Sequence, residues 1–218
     1  MYLSRPYSSP AAGSSQVTRT KPKRFGANVI VFVSPAMPSA CLYTELKFFP
    51  SSEISTVYFL FKVLPLNASQ YIGFLDFKGS LFNPDTCYLT NADKEMIGVV
   101  VSSINCCSYC LTTHGDALRG YTKNPMLVDK LCYNFRSAKD LLTEKQYALC
   151  EYAWYVTKHA DEIDETQIEN LRKAGFNDHE ILEAAFVAGF FNYTNRWVST
   201  IAPVANPGHF SHNRNFEG

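Results

Sequence analysis

The amino-acid sequence predicts an all-α fold, one multi-helix bundle behind a disordered N-terminal extension. Three observations predict it. Helix-start signatures recur: capping-box patterns at Thr143-x-x-Gln146, Thr166-x-x-Glu169 and Asn177-x-x-Glu180, and Pro125 where a first helical turn tolerates proline. Beyond residue 53 no run shows a convincing strand pattern. The connections between helical segments are short, as in bundles. No fixed-period repeat or phosphate-binding glycine loop argues otherwise.

Each helix has its own warrant. Between Gln70 and Phe82, the residues Ile72, Phe74, Leu75, Leu81 and Phe82 form an approximate helical stripe, and Pro84 ends it. Thr90 or Asn91 can cap the next helix, which carries Glu95, Met96, Ile97, Val99, Val100 and Val101. Its valine-rich centre reads like a buried strand, but length and caps favour a helix. Residues 107–119 form a further helix. Pro125 opens one through Asn134, and Thr143 starts another from Glu144 to His159. Thr166 starts a helix that Gly175 closes, and Asn177 opens the last, from Asp178 to about Ile201. After Pro203 the tail reads as irregular and polar. The helical domain is expected over 53–212.

The chain has 218 residues, enough for one domain with a sizeable core, and its 16 Phe and 13 Tyr supply much of that core. Its formal net charge is zero, which gives no case for nucleic-acid or membrane-surface partners. No stretch approaches the roughly 18 consecutive apolar residues of a membrane span. Residues 1–44 nevertheless hold Arg5, Arg19, Lys21, Lys23 and Arg24 and no acid. The extension at 1–45 is expected to be disordered or a targeting segment. A dispensable leader or an upstream start site is the plainest reading, and an organellar transit segment (mitochondrion or plastid) is the alternative to a cytoplasmic location. A secretory signal fits less well, because the apolar run is short and prolines follow it. Seven cysteines without a regular framework suit a reducing compartment, with the cluster at 106–110 as the reactive exception.

That cluster is the chemical centre of the sequence. The stretch from Glu95 to His114 reads EMIGVVVSSINCCSYCLTTH. Cys107, Cys110 and His114 are spaced i, i+3 and i+7, so on a helix they share one face. The two thiols are placed to form a disulfide, and His114 can accept a proton from Cys110. A helix N-terminus further favours thiolate. Glu95, from the preceding helix, can orient His114 or move protons for the thiols. Cys106 offers a second register, pairing with Cys110 at i, i+4; Cys107 is favoured because it completes Cys-x-x-Cys. Two plainer readings compete: a pair of small core residues, and a zinc site. Zinc is disfavoured because structural sites draw four ligands from flanking elements. No metal or bound cofactor is expected.

At these residues the chain resembles the alkyl hydroperoxidase D-like proteins of the carboxymuconolactone decarboxylase superfamily. The carrier is Glu95, eleven residues, Cys107-x-x-Cys110, three residues and His114. Two further stretches, ASQYIGFLDFKGSLF and AAFVAGFFNYTNRW, are similar to the peroxidase-related branch, and the resemblance runs from about Val57 to His212. It implies an all-helical fold assembling as homo-trimers or hexamers and a thiol peroxidase acting on hydroperoxides in antioxidant defence. By resemblance, Cys110 attacks the peroxide, Cys107 resolves, and Glu95 and His114 relay protons. An external dithiol, a lipoyl-protein or a thioredoxin-like partner, is the implied reductant. There is one departure: Tyr109 stands where the best-known members carry a second histidine. A phenol with an ordinary pKa near 10 is no neutral-pH base, so a shorter relay or weaker activity is expected.

Other residues are read more plainly. Asn192, Asn195 and Arg196 line a pocket or subunit contact, or simply form a polar helix face. Trp154 and Trp197 are expected as core or interface anchors. His159 suits a helix C-terminus, and His209 and His212 are read as tail residues rather than a metal pair. Against the peroxidase stand a decarboxylase-like enzyme, a general disulfide oxidoreductase and a non-catalytic redox sensor. The intact cysteine pair argues against the decarboxylase.

Overall fold

The computed structural model describes residues 67–215, and the structural statements below concern those residues. The extension expected at 1–45 and the domain residues before 67 lie outside them. The described part is built of helices and their connecting loops and contains no strand. In chain order the helices are α1 (Ala68–Leu81), α2 (Asn91–Ile104), α3 (Ser108–Thr122), α4 (Pro125–Tyr133), α5 (Glu144–Lys158), α6 (Glu165–Lys173), α7 (Asp178–Ile201) and α8 (Gly208–Ser211). Short 3₁₀ segments at Phe135–Leu141 and Ala160–Glu162 join α4 to α5 and α5 to α6. None of these helices is long and apolar enough to cross a membrane.

α2 is the axis of the bundle. It begins with a capping box in which Thr90 accepts from the Asp93 amide at 3.1 Å and Asp93 accepts from the Thr90 amide at 3.3 Å. Every residue from Lys94 to Ser102 is buried, because α3, α4, α5 and α7 surround the helix. A helix covered on all sides has no polar face, which is why its valine run reads like a strand in the sequence. Each aliphatic side chain buried here contributes about 1.5–3 kcal/mol. Gly98 permits the closest approach. A methyl group there would run into the ring of Phe191 on α7, itself 0% exposed.

One buried ion pair crosses this core. The Lys94 ammonium, 0% exposed, lies 2.9 Å from Glu183 Oε1 on α7, as an ion pair rather than an aligned hydrogen bond. The amides of Tyr88 and Leu89 donate to the other carboxylate oxygen at 2.6 and 3.1 Å. Burial alone would raise the Glu183 carboxyl; Lys94, these amides and the Cys87 thiol outweigh it and hold the group below its ordinary value. The pair thus ties the loop entering α2 to α7.

Two sequence expectations change. Thr166 does not cap α6. Asp164 does, accepting from the Thr166 amide at 2.7 Å, while Gln167 accepts from the Asp164 amide at 2.9 Å. Asp is the stronger cap where two capping patterns overlap, and this frees Glu169 to pair with Arg172. Gly175 does end α6, at φ 94°, in the left-handed conformation that glycine adopts without strain. The tail after Pro203 is not wholly irregular: α8 packs back against α3.

Candidate active site

The site is built by the turn between α2 and α3. α2 ends in a Schellman-type closure: the Cys107 amide donates to the Ser102 carbonyl at 3.0 Å and the Cys106 amide to that of Ser103 at 3.2 Å. The left-handed position of this closure, usually glycine, is Cys106, at φ 54°. Its side chain is exposed. Cys107 is at once the last residue of the turn and the N-cap of α3, so Cys110 stands in the first turn of that helix. The helix therefore begins after Cys107 rather than at it. Cys107 and Cys110 are joined as a disulfide with Cα atoms 5.3 Å apart. Among the two registers that the sequence left open, the structure adopts 107–110.

The turn is braced from α7. Asn105 donates to Asn192 at 2.9 Å and to Asn195 at 3.1 Å, Asn195 donates to Ser102 at 3.1 Å, and Asn192 donates to Thr157 at 3.1 Å. Asn192 and Asn195 thus hold the cysteine turn, whereas Arg196 is exposed. Asn105 is a member that sequence reasoning missed. Its only signal is an amide side chain directly before paired cysteines at a helix end.

Glu95 and His114 meet, a contact between two helices that spacing alone left open. His114 Nδ1 lies 2.7 Å from Glu95 Oε2 across the α2–α3 contact. Glu95 is buried and His114 half-buried. The imidazole also meets the Phe191 ring in a T-shaped contact, with ring centroids 4.7 Å apart at 88°. Phe191 is therefore a second missed member, wedged between Gly98 and His114. In a neutral imidazole, a carboxylate beside Nδ1 favours the tautomer with the proton there and the lone pair on Nε2.

The cysteine pair is enclosed by apolar side chains. Cys107 and Cys110 are 2% and 3% exposed, and Tyr109, Val198 and Trp197 pack against them. The Trp197 indole N–H is buried there, and among the described residues it has no hydrogen-bond acceptor. Trp197 is the anchor expected from the sequence, and it meets Phe74 of α1 edge-on at 5.6 Å. Trp154 lies elsewhere, stacked by Arg136, and His159 caps α5. Two of the other described thiols stay protonated at neutral pH: burial pushes Cys132 up to about 11 and Cys150 higher still.

No family model and no curated protein matches the chain. Solved structures do. An uncharacterized peroxidase-related protein from Silicibacter sp. TM1040 is 34% identical, with TM-score 0.72 over 84% of this chain and 92% of its own. An alkylhydroperoxidase AhpD core protein, also peroxidase-related, from Ralstonia eutropha JMP134 is 28% identical, with TM-score 0.74 over 87% of this chain and 97% of its own. The debrominase Bmp8 shares the fold at 14% identity and TM-score 0.63, over 83% of this chain and 96% of its own. With the paired cysteines, the Glu95–His114 contact and the first of these similarities, the chain belongs to the alkyl hydroperoxidase D-like proteins of the carboxymuconolactone decarboxylase superfamily, in their peroxidase-related branch.

Proposed function

We propose that the protein is a thiol-dependent peroxidase that reduces hydroperoxides through a Cys107/Cys110 dithiol–disulfide cycle. The observation that carries this reading is the 2.7 Å contact of Glu95 with His114, one helical turn beyond Cys110. In the reduced protein, Glu95 holds His114 with Nε2 free to take the Cys110 proton. The α3 N-terminus stabilises the resulting thiolate. The thiolate attacks the outer oxygen of ROOH: an S–O bond forms, the O–O bond breaks, and RO⁻ leaves as ROH after taking a proton from His114. Cys110 is then a sulfenic acid. The Cys107 sulfur displaces its hydroxyl as water and the disulfide forms. An external dithiol returns both thiols by exchange and leaves as its own disulfide. The Trp197 N–H, unpaired among the described residues, supports the reading, because it offers a donor to a peroxide oxygen in an otherwise apolar enclosure. That enclosure favours organic hydroperoxides over polar oxidants.

Tyr109 in the position of a second histidine leaves Glu95 and His114 as the whole relay in this proposal. Self-association as a trimer or hexamer belongs to it too, supported by exposed Leu182, Phe186 and Tyr193 along α7. The test is trapping. Reduced Cys107→Ser protein is treated with cumene hydroperoxide and a sulfenic-acid probe. The proposal expects the probe on Cys110 in stoichiometric yield, and on no residue in Cys107→Ser/Cys110→Ser. Labelling of Cys106 instead, or no labelling, contradicts it.

Bmp8 shows that this fold also hosts debromination, so a halogenated substrate is the competing assignment. It would show as turnover of a brominated pyrrole with no hydroperoxide consumption.

A further inference from the structure

Asp116 lies two residues beyond His114, is buried, and has no part in the redox cycle. Its two oxygens have divided surroundings. Oδ1 accepts from Asn213 Nδ2 at 3.2 Å and lies 3.9 Å from Arg119 Nη2. Oδ2 lies 2.7 Å from His209 Nδ1 and 3.4 Å from His212 Nδ1. The three ligand atoms all fall within 4.8 Å of one another. Arg119, 3% exposed, does not compete for Oδ2. It donates to the backbone carbonyls of His209 at 2.7 Å and His212 at 3.1 Å, which fixes both histidines over α3. This is a set of converging donors with an outer layer that orients them.

We propose that Asp116, His209 and His212 bind one divalent transition-metal ion of the zinc type. Zinc bonds of about 2.0–2.2 Å to nitrogen and oxygen place tetrahedral ligand atoms about 3.3 Å apart. The Asp116–His212 separation of 3.4 Å already fits, and the Asp116–His209 separation of 2.7 Å opens by about 0.6 Å as the ion replaces the shared proton. His212, with its side chain 61% exposed, gives the ion a way in and leaves the fourth position to water. The Arg119 guanidinium opposes a cation, but it sits on the Oδ1 side and is committed to two carbonyls. Two borderline imidazole ligands select zinc-like ions over calcium or magnesium. The bound ion fastens the C-terminal segment to α3, the helix whose first turn holds Cys110.

The experiment titrates the untagged full chain, with the Cys107–Cys110 disulfide oxidised, with Zn²⁺ and Co²⁺. The expected results are one ion per chain, a cobalt spectrum of nitrogen and oxygen ligands, and a Tm raised by Zn²⁺. His212→Ala, at an exposed position, should weaken binding at least about tenfold and abolish the Tm increase, and Asp116→Asn should do the same. No uptake, uptake unchanged in His212→Ala, or a thiolate-to-cobalt absorption band would each overturn the proposal. The last would place the ion on a free cysteine.

Discussion

Glu95→Gln isolates the proton relay, because glutamine keeps the shape and loses the charge. Glu95 is buried and holds His114 Nδ1 at 2.7 Å, so the contact is a charge-assisted hydrogen bond. Such bonds contribute about 1.5–3 kcal/mol, and at about 1.36 kcal/mol per decade that is one to two decades in rate. The His114 side chain is 30% exposed, and solvent screening favours the lower end, about a tenfold loss. A glutamine that turns its NH₂ toward Nδ1 would favour the wrong tautomer and push the loss toward about a hundredfold. The assay is stopped-flow oxidation of reduced protein by cumene hydroperoxide, read as the second-order rate of Cys110 thiol loss. Thermal unfolding runs in parallel to show that the variant is folded. His114→Gln and the double variant complete a cycle; the double should be no slower than His114→Gln alone. A folded Glu95→Gln within about twofold of the parent rate would refute the relay.

Further predictions concern the frame. Gly98→Ala forces a methyl into Phe191, which has no room to yield. It should cost about 1–3 kcal/mol by denaturant melt and slow Cys110 oxidation through displacement of His114; an unchanged midpoint would contradict the packing. Cys106→Gly relieves a left-handed non-glycine residue and should stabilise by up to about 1 kcal/mol with an unchanged disulfide, whereas loss of the redox couple would show that Cys106 takes part. Lys94→Met leaves Glu183 charged and buried and should cost about 3–5 kcal/mol by chemical denaturation. The Glu183 carboxyl is held low in the folded state, so the unfolded chain binds its proton first as pH falls. Its stabilisation is present above the ordinary value of 4.5 and lost as pH falls below it. That acid loss should be smaller in Lys94→Met, and an identical slope in both proteins would refute the linkage.

The sequence made the helices and the cysteine pairing legible for a simple reason: both rest on spacings within a turn or two. Capping boxes at Thr143 and Asn177 and the i, i+3, i+7 set of Cys107, Cys110 and His114 are local patterns. Where the reading went astray, two local signals overlapped, as Asp164 and Thr166 did before α6. The Cys106 turn was hidden because a cysteine occupies a position that glycine usually marks. What remained out of reach depends on distant contacts. Phe191 reaches His114 from α7, and Asp116 meets His209 across 93 residues. Spacing rules carry no information about such pairs.

The most direct test of the peroxidase account is a single-turnover reaction of the fully reduced chain with one equivalent of organic hydroperoxide, with each cysteine followed by mass spectrometry. Exposed Cys106 is a reference thiol within the same molecule. The account predicts that Cys107 and Cys110 disappear together as a disulfide, orders of magnitude faster than Cys106 is oxidised, with one ROH released per disulfide. Oxidation of Cys110 no faster than that of Cys106 would contradict it.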